Sequence, residues 1–130
     1  MTSWVISLPL HIMMKNKKHY LNLNVYTTTH RFTRNKVKIK FTEEVLPLIA
    51  HLPKLAKMSV TYVIYPRTNA ASDTNNICSI VDKFFLDTLV AGGVIVDDNH
   101  TIVVSTTNLY GSKDKDNPRC EAIITDLGNQ

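Results

Sequence analysis

The chain has 130 residues, 44% of them hydrophobic, which suits one domain around one core. No apolar run approaches the roughly 18 residues of a membrane span, and the N-terminus lacks a basic segment followed by an apolar run and a small-residue cleavage site. The expectation is a cytoplasmic protein with no membrane partner.

The net charge of +4 conceals a division. Residues 1–57 carry ten Lys or Arg against two acids, and residues 58–130 carry five against nine. A basic first half can hold phosphates, and an acidic second half can supply metal ligands. A solvated basic helix with scattered acids accounts for the same charges.

Trp4 to Leu8 reads as a strand stopped at Pro9. Residues 11–34 read as a long, irregular basic loop containing Lys15, Lys17, Lys18, His19, Tyr20 and the run Thr27-Thr28-Thr29-His30-Arg31. From Asn35 to Leu46, Lys36, Lys38 and Lys40 alternate with Val37, Ile39 and Phe41, which suits a strand. Continuation through Glu43, Glu44, Leu48, Ile49 and Leu52 favours a helix, kinked or broken at Pro47. Val60–Tyr65 is a strand, and 67–72 a loop. Asp73 or Asn75 caps a helix from about Asn76 to Ala91. Its broad apolar face (Ile77, Ile80, Val81, Phe84, Phe85, Leu89, Val90) marks a central core helix, with Phe84 and Phe85 divided between core and subunit interface. Gly92-Gly93 stops it. Val94–Val96 leads to Asp97-Asp98-Asn99-His100. Thr101–Thr107 alternates as a strand, Gly111–Pro118 turns, and Cys120–Ile124 is the last strand. Cys78 and Cys120 lack zinc spacing and read as free thiols.

The central helix has carboxylates at both ends: Asp73 before it, Asp82 and Asp87 on it, Asp97 and Asp98 beyond it. A hard cation such as Mg²⁺ needs oxygen ligands gathered at one point. Asp73 and Asp98 are the first-choice ligands, and Lys83 stands ready to offset phosphate charge or orient water. Lys83 and Asp87, four apart, can pair directly. A helix of about 15 residues spans roughly 22 Å, so Asp73 and Asp98 meet only if the return path folds back or a second copy supplies one half. The plainer alternative makes Asp73 a cap and Asp97-Asp98 a turn.

Asp73-Thr74-Asn75-Asn76, Lys83, Asp87-Thr88-Leu89, the Gly92-Gly93 pair and Asp97-Asp98 together resemble the RusA family of Holliday-junction resolvases, especially its phage-borne relatives. Ser7-Leu8-Pro9 and the segment Asn22-Leu23-Asn24-Val25-Tyr26 are similar as well. The resemblance implies one RusA-like endonuclease domain over 1–130, an α+β fold with a small mixed sheet and two main helices, and a homodimer. It implies Mg²⁺-dependent (Mn²⁺ substituting) paired nicking of four-way or branched DNA. The family's metal carboxylates fall on Asp73 and Asp98, and its Lys on Lys83. Its second Asp falls on Asn75, which offers a neutral oxygen with one negative charge fewer. Asp82 or Asp97 would compensate. DNA contacts would come from Lys15, Lys17, Lys18, His19, Arg31, Arg34, Lys36, Lys38 and Lys40, with Tyr20, Tyr26 and Phe32 as stacking rings. The alternatives are a branched-DNA-binding protein that does not cut and a small scaffold whose basic loop binds another protein.

Overall fold

The computed structural model describes residues 2–68 and 73–128. Its elements run β1 (Ser3–Leu8), β2 (His11–Met14), β3 (Lys17–Tyr20), α1 (Leu23–Thr28), α2 (Arg31–Ile49), β4 (Met58–Tyr65), α3 (Thr74–Ala91), β5 (Val103–Tyr110) and β6 (Arg119–Asp126). Four strands form a mixed sheet in the order β1-β6-β4-β5. Strand β6 is antiparallel to β1 and to β4, while β5 lies parallel to β4. A parallel pair needs a crossover, and α3 supplies it. The chain is thus a small α+β domain with a mixed sheet and a few helices.

Strand side chains alternate between faces, and the apolar ones choose the side. Met58, Val60, Tyr62 and Ile64 of β4, Cys120, Ala122 and Ile124 of β6, and Ile6 and Leu8 of β1 are buried in the core. Intervening positions, such as Ser3, Val5 and Ser7, remain exposed. Helix α2 contributes Val37, Phe41, Val45 and Ile49, one residue every four. Helix α3 contributes the largest share, including Phe84 and Phe85. Each such large side chain stabilises the fold by roughly 1.5–3 kcal/mol.

Helices α2 and α3 lie against each other and run in the same direction. Lys38 pairs with Asp87, Thr42 meets Thr88 at 3.4 Å, and a Cβ on Gly92 would approach Ile49 and Leu46 at 3.0 and 3.2 Å. These partners advance together along both helices. Gly92 therefore marks a close approach, where an added side chain would have to push the Ile49 and Leu46 tips aside. Gly93, with φ +76°, turns the chain out of α3 through the left-handed region.

The segment 11–34 is not an irregular loop. Strands β2 and β3 form a hairpin around Lys15-Asn16, with Lys15 at φ +56°. That turn lacks the Asn-Gly or Asp-Gly pair that announces most such hairpins. Asn22 then caps α1 by accepting from the Val25 amide at 2.9 Å. Thr27 and Thr28 close α1, their hydroxyls donating back to the Leu23 and Asn24 carbonyls at 2.9 and 2.8 Å. His30 caps α2 through Nδ1, which accepts from the Phe32 amide at 3.3 Å. Helix α2 consequently starts four residues before the expected start and continues through Pro47 to Ile49 without a break. The alternation at 36–41 misleads because Ile39 is exposed, whereas Val37 and Phe41 are buried one turn apart.

Phe84 and Phe85 are both buried in the chain's own core, so neither is left for a subunit interface. Strand β5 begins and ends later than the expected 101–107. Part of the expected loop at 67–72 lies outside the described residues. Cys78 and Cys120 are both buried free thiols, and burial pushes the Cys78 thiol up to about 11. Among the described residues, no helix is long and apolar enough to cross a membrane.

Candidate functional site

Consecutive residues on a helix are turned about 100° apart, so Asp82 and Lys83 leave α3 on different flanks. On the first flank, Tyr62 reaches up from β4 and its hydroxyl donates to Asp82 Oδ1 at 2.5 Å. Beside Tyr62, in register on β5, stands Asn108. Its Nδ2 donates to Asn75 Oδ1 at 3.1 Å, while its own Oδ1 is buried and has no partner. Asn75 and Asp82 are two turns apart and share this flank.

Asp98 acts on this flank through its charge. Burial holds the Asp82 carboxyl above the usual carboxylate range, and the negative charge of Asp98 raises it further against the opposing pull of the Tyr62 hydrogen bond. Burial, reinforced by the Asp82 charge, raises Tyr62 as well and keeps it a proton donor. The return path after Gly93 thus brings Asp98 within electrostatic reach of Asp82, in the middle of α3.

Asp73, the other first-choice ligand, sits elsewhere. It is the N-cap of α3, and its Oδ1 accepts from the Asn75 and Asn76 amides at 3.0 and 3.3 Å. Nine residues separate it from Asp82, about 13 Å along the axis. The plain cap reading describes its Oδ1. Asp97 is exposed. It accepts from the Asp98 amide at 2.7 Å and from Asn99 Nδ2 at 3.0 Å, and those bonds lower its pKa. It shapes the turn that presents Asp98.

Asp82, Asp98 and the orphaned Asn108 oxygen are the donor chemistry a hard divalent cation takes. Among the described residues, no three His, Cys, Asp or Glu side chains gather into a metal-holding group. Amide oxygens and water would therefore have to complete any shell. Asn75, expected as a ligand, spends its oxygen on Asn108.

The second flank is basic. A hollow of about 270 Å³ between α1, α2 and α3 is lined by Tyr26, Arg31, Arg34, Asn35, Lys38 and Lys83. Lys83 does not pair with Asp87. That carboxylate is taken by Lys38 at 2.8 Å. Arg34 lies over the Tyr26 ring at 4.8 Å, and Tyr26 also meets Phe84 edge-on, so Tyr26 is committed to packing. Phe32 stays exposed, with Arg31 above it at 5.3 Å.

The remaining expected DNA contacts lie on the hairpin and along α2. Lys15 is in the turn, and Lys17 and Lys18 are exposed on β3 beside half-buried His19 and exposed Tyr20. Lys36 is exposed on α2, whereas Lys40 Nζ donates to the Met13 carbonyl at 2.6 Å and ties the hairpin to the helix. Burial, followed by nearby Lys18, lowers the His11 pKa.

Tyr62 and Asn108 belong to the candidate site but escape a motif-led reading. Tyr62 carries a hydroxyl at an inward position of β4 and so demands a buried partner. Asn108 is a poor strand former inside a strand. Those were the available signals. A scan against protein-family models finds no match to this chain, and a search of curated proteins finds none either.

Proposed function

We propose that the protein is a Mg²⁺-dependent endonuclease acting on four-way or branched DNA, RusA-like in fold and working as a homodimer. The observation that carries this reading is the set of oxygen donors on one flank of α3: Asp82 held by the Tyr62 hydroxyl and the buried, unpartnered Asn108 oxygen beside Asn75, with the charge of Asp98 reaching Asp82. Like charges held together cost stability unless a cation or proton offsets them. Asp82 and Asp98 would hold the metal, which would activate water and stabilise the leaving oxygen of a phosphodiester. Tyr62 keeps Asp82 oriented, and Asn108 keeps Asn75 turned toward the same flank. The basic flank and the hairpin would hold the DNA backbone and set affinity rather than sequence. Two symmetric cuts require two sites about a two-fold axis, hence the dimer.

A second reading is a branched-DNA-binding protein that does not cut. It is favoured by Asn75, whose oxygen already accepts from Asn108. The test is cleavage of an end-labelled four-way junction beside a matched linear duplex, with and without Mg²⁺. Paired nicks in the junction alone, dependent on Mg²⁺, are expected. Salt-sensitive junction binding with no cleavage across Mg²⁺ and Mn²⁺ would establish the second reading instead.

A further inference from the structure

We infer that the hollow between α1, α2 and α3 is a binding pocket for a single phosphate group, gripped by Arg31, Arg34, Lys38 and Lys83. The inference deepens the nucleic-acid reading and takes from it one source of phosphate, the DNA backbone. The other source of the same chemistry is free phosphate.

Four cationic side chains from two helices line one concavity of about 270 Å³. Only one carboxylate answers them, Asp87 on Lys38 at 2.8 Å. Lys83 has no hydrogen-bond or ion-pair partner among the described residues, and neither Arg31 nor Arg34 meets a carboxylate there. Converging like charges repel, and an anion in their midst reverses the sign of that interaction. The cations are also positioned. Arg34 is laid against the Tyr26 ring at 4.8 Å, and Tyr26 is steadied by Phe84. Lys38 is held by its ion pair. A guanidinium fork fixed in this way suits phosphate, whose oxygens accept two parallel hydrogen bonds. The Asn35 amide adds a neutral donor on the same wall. Lys15, Lys17 and Lys18 differ. They lie exposed at a hairpin and its turn, and Lys17 and Lys18 stand across from Met14 and Met13.

The pocket also gives Lys83 a different task from one beside the carboxylates. It would hold a phosphate on the flank away from Asp82, a second anchor for the strand that enters the acidic flank.

The experiment uses the full chain without Mg²⁺, so cleavage plays no part. Inorganic phosphate is titrated while the side-chain Nε–H signals of Arg31 and Arg34 are followed by NMR. In parallel, affinity for a labelled four-way junction is measured across salt concentrations. The variants are Lys83→Met, Arg34→Lys and, as hairpin control, Lys17→Met. Expected are saturable shifts at both arginines, weakened about tenfold by Lys83→Met, the scale of one charged hydrogen bond. Arg34→Lys keeps the charge and loses the fork, so it too should weaken phosphate binding, whereas Lys17→Met should not. For backbone phosphate, Lys83→Met should also lower the slope of log affinity against log salt by about one. Saturable phosphate shifts with an unchanged slope would assign the pocket to free phosphate. Absent shifts, or equal weakening by the hairpin control, would overturn the pocket. A chain that binds phosphate here but never cuts a junction would defeat the nuclease reading and leave this one standing.

Discussion

The two flanks of α3 differ in what surrounds adjacent residues. Asp82 looks toward β4, where it accepts from the Tyr62 hydroxyl and feels the charge of Asp98. Lys83 looks toward α1 and α2, where it meets two arginines and a lysine. One helix, packed between a strand edge and another helix, sorts opposite charges into separate places only one residue apart in sequence. Sites that need both a cation and a polyanion benefit from such separation. An unscreened Lys83 beside Asp82 would compete with the metal for the carboxylate.

The largest effect that can break this comparison is on chemistry. Asp98→Asn should cut Mg²⁺-dependent junction cleavage by about 100-fold or more, at or beyond the loss usual for an outer-shell partner, while DNA affinity at fixed salt stays as it was. A parallel fall in affinity would mean that the flanks do not act separately.

Next comes Tyr62→Phe, which leaves Asp82 part-buried without its donor. Unfolding by denaturant at neutral pH should show a loss of about 1–3 kcal/mol. In acid, where Asp82 carries its proton, the loss should shrink. An equal loss at both pH values would show that the hydroxyl contributes without regard to the charge on Asp82.

A smaller effect follows from Asp82→Asn. The native pKa of Asp82 is raised above its unfolded value, so ionisation costs stability as pH rises from the ordinary carboxylate pKa through the raised one. Below that window, no cost is present. Asp82→Asn should therefore stabilise the apo protein at neutral pH, by about 0.5 kcal/mol after allowance for solvent screening, and the gain should vanish in acid. Mg²⁺ should raise the Tm of the parent protein and not of the variant. A metal-induced rise of equal size in both would place the cation elsewhere.

Smallest is Asp87→Asn on the opposite flank. Its exposed ion pair with Lys38 contributes no more than about 1 kcal/mol, but its removal frees Lys38 for an anion. Junction binding at low salt should tighten, with cleavage per bound junction unchanged. Weaker binding would mean that Asp87 positions Lys38 rather than competing for it.

Much of this architecture is legible from residue patterns. Inward alternation marks β4, and the apolar breadth and Gly92-Gly93 stop mark α3. The acidic and basic halves are visible as composition. The hairpin, α1 and the first turn of α2 are hidden for specific reasons. The turn Lys15-Asn16 has no glycine, three threonines disguise the end of α1, and a histidine serves as a cap. The candidate site is legible only in part. Asp82, Asp98 and Lys83 stand out as residue types, but which carboxylates meet depends on where the chain lands after Gly93. Asp73 looks equivalent to Asp98 along the sequence, and only three-dimensional placement shows that Asp73 caps α3 while the charge of Asp98 reaches Asp82. Tyr62 and Asn108 enter through strand register, which no local window contains.

Helices α2 and α3 run in the same direction, so their peptide dipoles add instead of cancelling. The antiparallel helix pairs of simple bundles have no such sum. This molecule should carry a permanent moment beyond that of its side-chain charges, with the positive pole toward the start of both helices. A long polyanion drifting nearby would feel a torque before it feels a contact, and productive encounters would outnumber those set by random orientation. Orientation on approach would thus be written into the backbone, where no surface substitution can erase it.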